Sequence, residues 1–125
     1  MPQDGRRPTI LIVEDEALIR MVSADMLLEA GFDALEAGDA DEAVAVLQEA
    51  SQIEVMFTDV RMPGRIDGLQ LAALVHQRWP AIGLLVTSGH CHLSPSELPD
   101  DGHFVSKTYH IDDVVTQIRG ILANA

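Results

Sequence analysis

The chain has 125 residues, 47% of them hydrophobic, with twenty acidic against eight basic side chains and a formal net charge of −12. That length fits one domain able to bury roughly two-thirds of its unfolded surface, and that charge repels phosphate backbones and anionic lipid surfaces, which excludes direct nucleic-acid binding. Cys91 stands alone and forms no internal disulfide, and no apolar run reaches the roughly 20 residues of a membrane helix, so a cytoplasmic protein without membrane association is expected.

In chain order, the opening MPQDGRRP has two arginines but no apolar core behind them like that of a secretory signal. Residues 1–8 are expected to be a flexible lead-in and residues 9–125 a single domain. The run ILIV at 10–13 reads as a strand. Ile19, Val22, Ser23, Met26, Leu27 and Ala30 then recur at helical spacing, which predicts an amphipathic helix. A weaker strand, FDALEA, follows Gly31. Asp39 with Glu42 three residues on resembles a capping arrangement ahead of a second helix through Ala43, Val44, Leu47 and Ala50. VMF at 55–57 is the third strand, Leu71, Leu74 and Val75 mark a third helix ended by Pro80, and GLLV at 83–86 is the fourth strand. The crossover HCHLSPSELPDDG contains Pro95 and Pro99 and has room for a short fourth helix of one or two turns, starting near Ser94. Phe104 and Val105 form the fifth strand, and Ile111, Val114, Val115, Ile118 and Leu122 stripe a C-terminal helix.

These apolar runs lack two-residue alternation, as suits strands covered on both faces. Strand and helix alternate five times, and parallel crossovers are right-handed in nearly all cases. The fold class expected is therefore α/β, a doubly wound parallel sheet with helices on both faces. Only ANA remains after the last stripe, so no output domain is expected and action through a partner is.

In open sheets of this kind ligands bind beyond the carboxyl ends of the strands. Strand one ends in Glu14 and Asp15, strand three in Asp59, strand four in Thr87 and Ser88, and strand five runs on to Lys107, the only lysine. Each has a plain structural reading. Asp15 can cap a helix beginning at Glu16, Asp59 can bond the turn at Met62-Pro63-Gly64, Ser88 can form a turn, and Lys107 can be a solvated charge. Independent caps and turns have no reason to gather acids, hydroxyl and ammonium at one edge. Three carboxylates there repel one another unless a cation joins them, and an oxygen-only set suits Mg2+ or Mn2+. Such an ion shields the approach of an anionic phosphoryl donor while lysine and hydroxyl hold its oxygens, which points to phosphoryl transfer onto an aspartate. His90, Cys91 and His92 are good ligand types, but consecutive residues do not readily close a tetrahedral zinc site.

ILIVEDE, FTDVRMPG followed by DG, LLVTSGH and FVSK, at successive strand ends, together resemble the receiver domain of two-component response regulators over essentially all of residues 8–123. The resemblance implies a five-stranded flavodoxin-like sheet of order 2-1-3-4-5. It implies Asp59 as phospho-acceptor, Asp15 as direct metal ligand, Glu14 acting largely through water, and the Arg61 backbone carbonyl as a further ligand. Ser88 matches the hydroxyl position, with Thr87 the competing register; Lys107 matches the phosphate-pairing lysine, and Phe104 either the aromatic switch or plain core. A histidine kinase or histidine phosphotransfer protein is the implied donor, and an unknown downstream protein the target. Three departures stand out: one extra residue between Asp59 and Asp67, Thr108 where a cis proline is usual, and the stunted crossover. Bulky Arg61 and His90 beside the pocket are expected to slow dephosphorylation. The competing functions are a phosphorylation-independent interaction module of the same fold and an aspartyl-phosphate phosphohydrolase. Arg61, standing where such a hydrolase has its second acid, counts against the latter, so no enzyme acting on an exogenous substrate is expected.

Overall fold

Apolar runs too short for helices and flanked by acids or glycine become the strands of one parallel sheet, and the longer segments between them become helices. The computed structural model of the chain describes residues 7–50, 52–60, 64, 66–88, 102–106 and 111–123. Within them the order is β1 (Thr9–Val13), α1 (Ala17–Glu29), β2 (Asp33–Ala37), α2 (Ala40–Glu49), β3 (Ile53–Asp59), α3 (Gly68–Arg78), β4 (Gly83–Ser88), β5 (Gly102–Ser106) and α4 (Ile111–Ala123). The strands lie in the order β2-β1-β3-β4-β5, all parallel, as the sequence resemblance implies. The short fourth helix expected between β4 and β5 falls on residues 89–101, outside the described residues.

Each central strand feeds two cores. Leu11 and Val13 of β1, Met56 of β3 and Leu84 and Val86 of β4 point to the face covered by α2 and α3 through Ala43, Leu47, Leu71 and Val75. Ile10 and Ile12, Val55 and Phe57, and Leu85 point to the opposite face, covered by α1 and α4 through Ala24, Leu27, Val114, Ile118 and Ile121. This is the period-two alternation of a strand, with apolar residues at both parities because both faces are buried.

The stripe expected to bury α1 holds only in part. Ser23, Ala24 and Leu27 are buried, whereas Ile19, Val22 and Met26 are exposed together with Leu18, Met21 and Leu28. The helix is apolar almost all round, so periodicity alone does not choose its inward face. Small side chains at 23 and 24 let it lie close to the sheet. Its C-terminal end is held from outside by Arg7, which donates to the carbonyls of Leu28 and Phe32 and pairs with Asp33 at 3.1 Å.

The helix start anticipated at Asp39 is present, and α3 has a fuller one at Asp67. The Asp39 carboxylate accepts from the Glu42 backbone N–H at 2.8 Å, but the Glu42 carboxylate returns to the Gly38 N–H at 2.7 Å rather than to Asp39 itself. At α3 the reciprocal box is complete: Asp67 Oδ1 accepts from Gln70 N–H and Gln70 Oε1 accepts from Asp67 N–H, both at 2.9 Å. Asp67→Ala is expected to lower stability by about 1 kcal/mol, seen as a fall of about 4 °C in melting temperature; an unchanged melting temperature would contradict a capping role.

Candidate functional site

Strand register alone assembles the centre of the site. Val13 stands beside Thr58 and Asp59 beside Thr87, so the next residue of the first strand, Glu14, falls level with Asp59. Rung neighbours in a parallel sheet share a face, and Glu14, Asp59 and Thr87 form one row across the three central strands, one layer above Ile12, Phe57 and Leu85. Glu14 continues the sheet by donating its N–H to the Ala37 carbonyl at 3.0 Å. Both acids are buried, each 5% exposed, while Asp15 is exposed.

Helix α1 begins at Ala17, and its N-cap residue, Glu16, makes no side-chain capping bond. The capping reading of Asp15 therefore fails. It is Glu14 that serves the helix start, its Oε2 accepting from the Glu16 N–H at 3.1 Å. Glu14, Asp15 and Asp59 each present a carboxylate oxygen such that all three lie within 4.8 Å of one another. Ligands of an octahedral magnesium ion at about 2.1 Å stand about 3 Å apart in adjacent positions and about 4.2 Å apart in opposite ones. A contraction of about half an ångström by the exposed Asp15 side chain brings the set into that range, so the residues present fit a hard divalent cation with positions left for water.

Two supporting residues were not anticipated. Arg20 donates to the Glu14 carbonyl at 2.7 Å and pairs with Glu36 at 3.2 Å, tying the acidic turn to β2. A cation in the first turns of a helix sits at the unfavourable end of its dipole, and that misplacement is the one hint the sequence offers. Gly68 donates to the Val60 carbonyl at 2.8 Å and lies so close to the end of β3 that a Cβ would overlap the Asp59 carbonyl oxygen and stand 2.8 Å from Val60 Cα. The residue opening α3 is thus packed on the backbone of the acid itself.

Thr87 is 3% exposed, and its hydroxyl has no hydrogen-bond partner among the described residues. An unsatisfied buried hydroxyl costs about 1–3 kcal/mol, so its presence beside Asp59 needs a reason. Phe104, half-buried on β5, pairs with Val86 and so lies on the face away from Asp59. The backbone of Ser88 ends β4 opposite Ser106, while the Ser88 hydroxyl and the residues Arg61, His90, Lys107 and Thr108 lie outside the described residues.

Among the described residues no helix is long and apolar enough to cross a membrane. Residues 10–119 match the family model of the response regulator receiver domain. The transcriptional regulatory protein PdtaR of Mycobacterium tuberculosis is 36% identical over 113 residues, covering 88% of this chain and 54% of that protein. This chain therefore spans about half the length of that relative. A response regulator receiver protein from Sinorhizobium medicae superposes with a TM-score of 0.87 at 25% identity, covering 94% of this chain and 96% of that one. The receiver domain of the hybrid histidine kinase CckA superposes at 0.77 with 30% identity, covering 91% and 98%.

Proposed function

The chain belongs to the response regulator receiver domain family of two-component signalling, and from that premise we propose that it accepts a phosphoryl group on Asp59 from a histidine kinase or histidine phosphotransfer protein. The observation that carries this reading is the convergence of Glu14, Asp15 and Asp59 within 4.8 Å at the carboxyl end of the sheet, with Asp59 on its middle strand.

In the reaction an Asp59 oxygen attacks phosphorus, the phosphorus–nitrogen bond of the phosphohistidine breaks, and the imidazole leaves with the bonding pair. Glu14, Asp15, Asp59 and the Arg61 backbone carbonyl would hold Mg2+ or Mn2+, which supplies charge neutralisation between carboxylate and phosphoryl group. Lys107 and Ser88 contact the phosphoryl oxygens, and Phe104 follows the change as part of the switch. The added charge of about −1.5 to −2 then favours one of two conformations and so alters binding of a downstream protein. Residues 9–125 act as one receiver domain in the cytoplasm, after a lead-in of residues 1–8, without direct nucleic-acid or membrane binding. Self-phosphotransfer and autodephosphorylation are the only chemistry.

The donor has a natural landing surface. Exposed Leu18, Met21 and Val22 lie on α1, which starts two residues after Asp15, and acidic Glu16 at its N-cap and Asp25 and Glu29 within it are exposed too. A helical donor with an apolar stripe edged by lysine or arginine complements this face in both shape and charge.

Incubation with Mg2+ and acetyl phosphate is expected to add one phosphoryl group to the wild-type chain and none to Asp59→Asn, read by intact mass. Wild-type protein that gains nothing, or an Asp59→Asn variant that gains as much, would contradict the assignment.

A further inference from the structure

A shallow cleft opens under the acidic row, lined by Ile12, Phe57, Ser23, Glu14, Asp59 and Thr87, among others. Its volume of about 10 Å³ is near the minimum that admits one water molecule. Three observations meet there. Thr87 is the rung neighbour of Asp59, so the two side chains rise from the same face on strands about 4.8 Å apart. Its hydroxyl is enclosed and has no partner among the described residues. Leu85, two residues earlier on the same face, is apolar, and valine has the shape of threonine without the hydroxyl, so packing alone does not call for an oxygen at position 87.

We propose that Thr87 is a positioning residue for Asp59, its hydroxyl holding a single buried water that hydrogen-bonds the Asp59 carboxylate from the α1 side. Such a water has the polar partners it needs from Thr87, the carboxylate and the Ser23 hydroxyl of the same lining. The bond fixes the rotation of the carboxylate, so that one oxygen stays directed to the open edge where the phosphoryl donor arrives. Preset orientation of a nucleophile raises its rate without changing its identity. This role differs from that of Ser88. Thr87, the rung neighbour of Asp59 on the same face, orients the acid, whereas Ser88 is assigned to the phosphoryl oxygens.

The proposal rests on Asp59 being the acceptor, and its test separates the two. Phosphorylation by acetyl phosphate at saturating Mg2+ is followed for wild type, Thr87→Val and Thr87→Ser. Thr87→Val is expected to be phosphorylated about tenfold more slowly, and Thr87→Ser, which keeps the hydroxyl, within about threefold of wild type. Wild-type behaviour of Thr87→Val, or equal slowing of both variants, overturns the role of the hydroxyl; absence of Asp59-dependent phosphorylation in the wild-type chain overturns the acceptor instead. A high-resolution crystal structure of the wild-type chain provides the readout that needs no turnover. Density for a water within hydrogen-bond distance of Thr87 Oγ1 and an Asp59 oxygen is expected, and a dry cleft contradicts the proposal.

Discussion

Gly68→Ala is expected to destabilise the protein by about 3 kcal/mol or more, a fall of roughly 12 °C in melting temperature, and to disable phosphorylation in what remains folded. A methyl group at residue 68 meets backbone, not the yielding end of a side chain. It would overlap the Asp59 carbonyl oxygen and crowd Asp59 C at 2.7 Å and Val60 Cα at 2.8 Å. Relief requires β3 and the start of α3 to move apart, which breaks the 2.8 Å bond from Gly68 N–H to the Val60 carbonyl and shifts the acid. Gly120 is the internal control. It lies inside α4 with nothing within 4 Å of its added Cβ, so Gly120→Ala is expected to be neutral or to stabilise by about 0.5–1 kcal/mol. Equal melting temperatures for Gly68→Ala and wild type, by scanning fluorimetry, would contradict this account of the α3 junction.

Leu18→Glu combined with Met21→Glu is expected to slow phosphotransfer from a cognate phosphohistidine protein by at least thirtyfold, relative to the rate with acetyl phosphate. These side chains are 73% and 54% exposed, on the turns of α1 nearest the acidic cluster. Buried apolar anchors at a protein interface commonly contribute 2 kcal/mol or more, and a new carboxylate in a desolvated, acid-edged surface adds repulsion from a chain already at −12. The small donor needs no such surface, so the ratio of the two rates isolates docking. Raised salt should slow the protein donor more than acetyl phosphate if lysine and arginine of the partner face Glu16, Asp25 and Glu29. A ratio unchanged by the double substitution would place the landing surface elsewhere.

Much of this was legible in the residues themselves. Short apolar runs without alternation announced strands buried on both faces, and the acids after the first and third runs fell at the sheet edge because register carries each strand end there. The parallel sheet and the gathering of Glu14, Asp15 and Asp59 agree with that reading, and the strand order agrees with what the family resemblance implied. Helix α1 followed its expected stripe only in part, burying Ser23 and Leu27 but not Ile19, Val22 or Met26. Its apolar residues surround the axis, and the inward face was decided by Ser23 and Ala24, whose small size suits close approach to the sheet. The close approach of Gly68 to Asp59 was not legible, since it is made across a loop whose path the sequence does not specify. Thr87 entered only as a rival to Ser88 for one role. The pairing of Asp59 with Thr87, which the sequence does not specify, puts the Thr87 side chain on the face of the acid.

Mapping the modified residue shows whether Asp59 itself carries the phosphoryl group. After phosphorylation by a phosphohistidine donor in Mg2+, the acyl phosphate is reduced with borohydride and the chain digested for tandem mass spectrometry. The account predicts reduction to homoserine at Asp59 alone, dependent on Mg2+. Modification at Asp15 or Glu14 in its place, or an unmodified Asp59 in protein that has drawn phosphate from the donor, would contradict it.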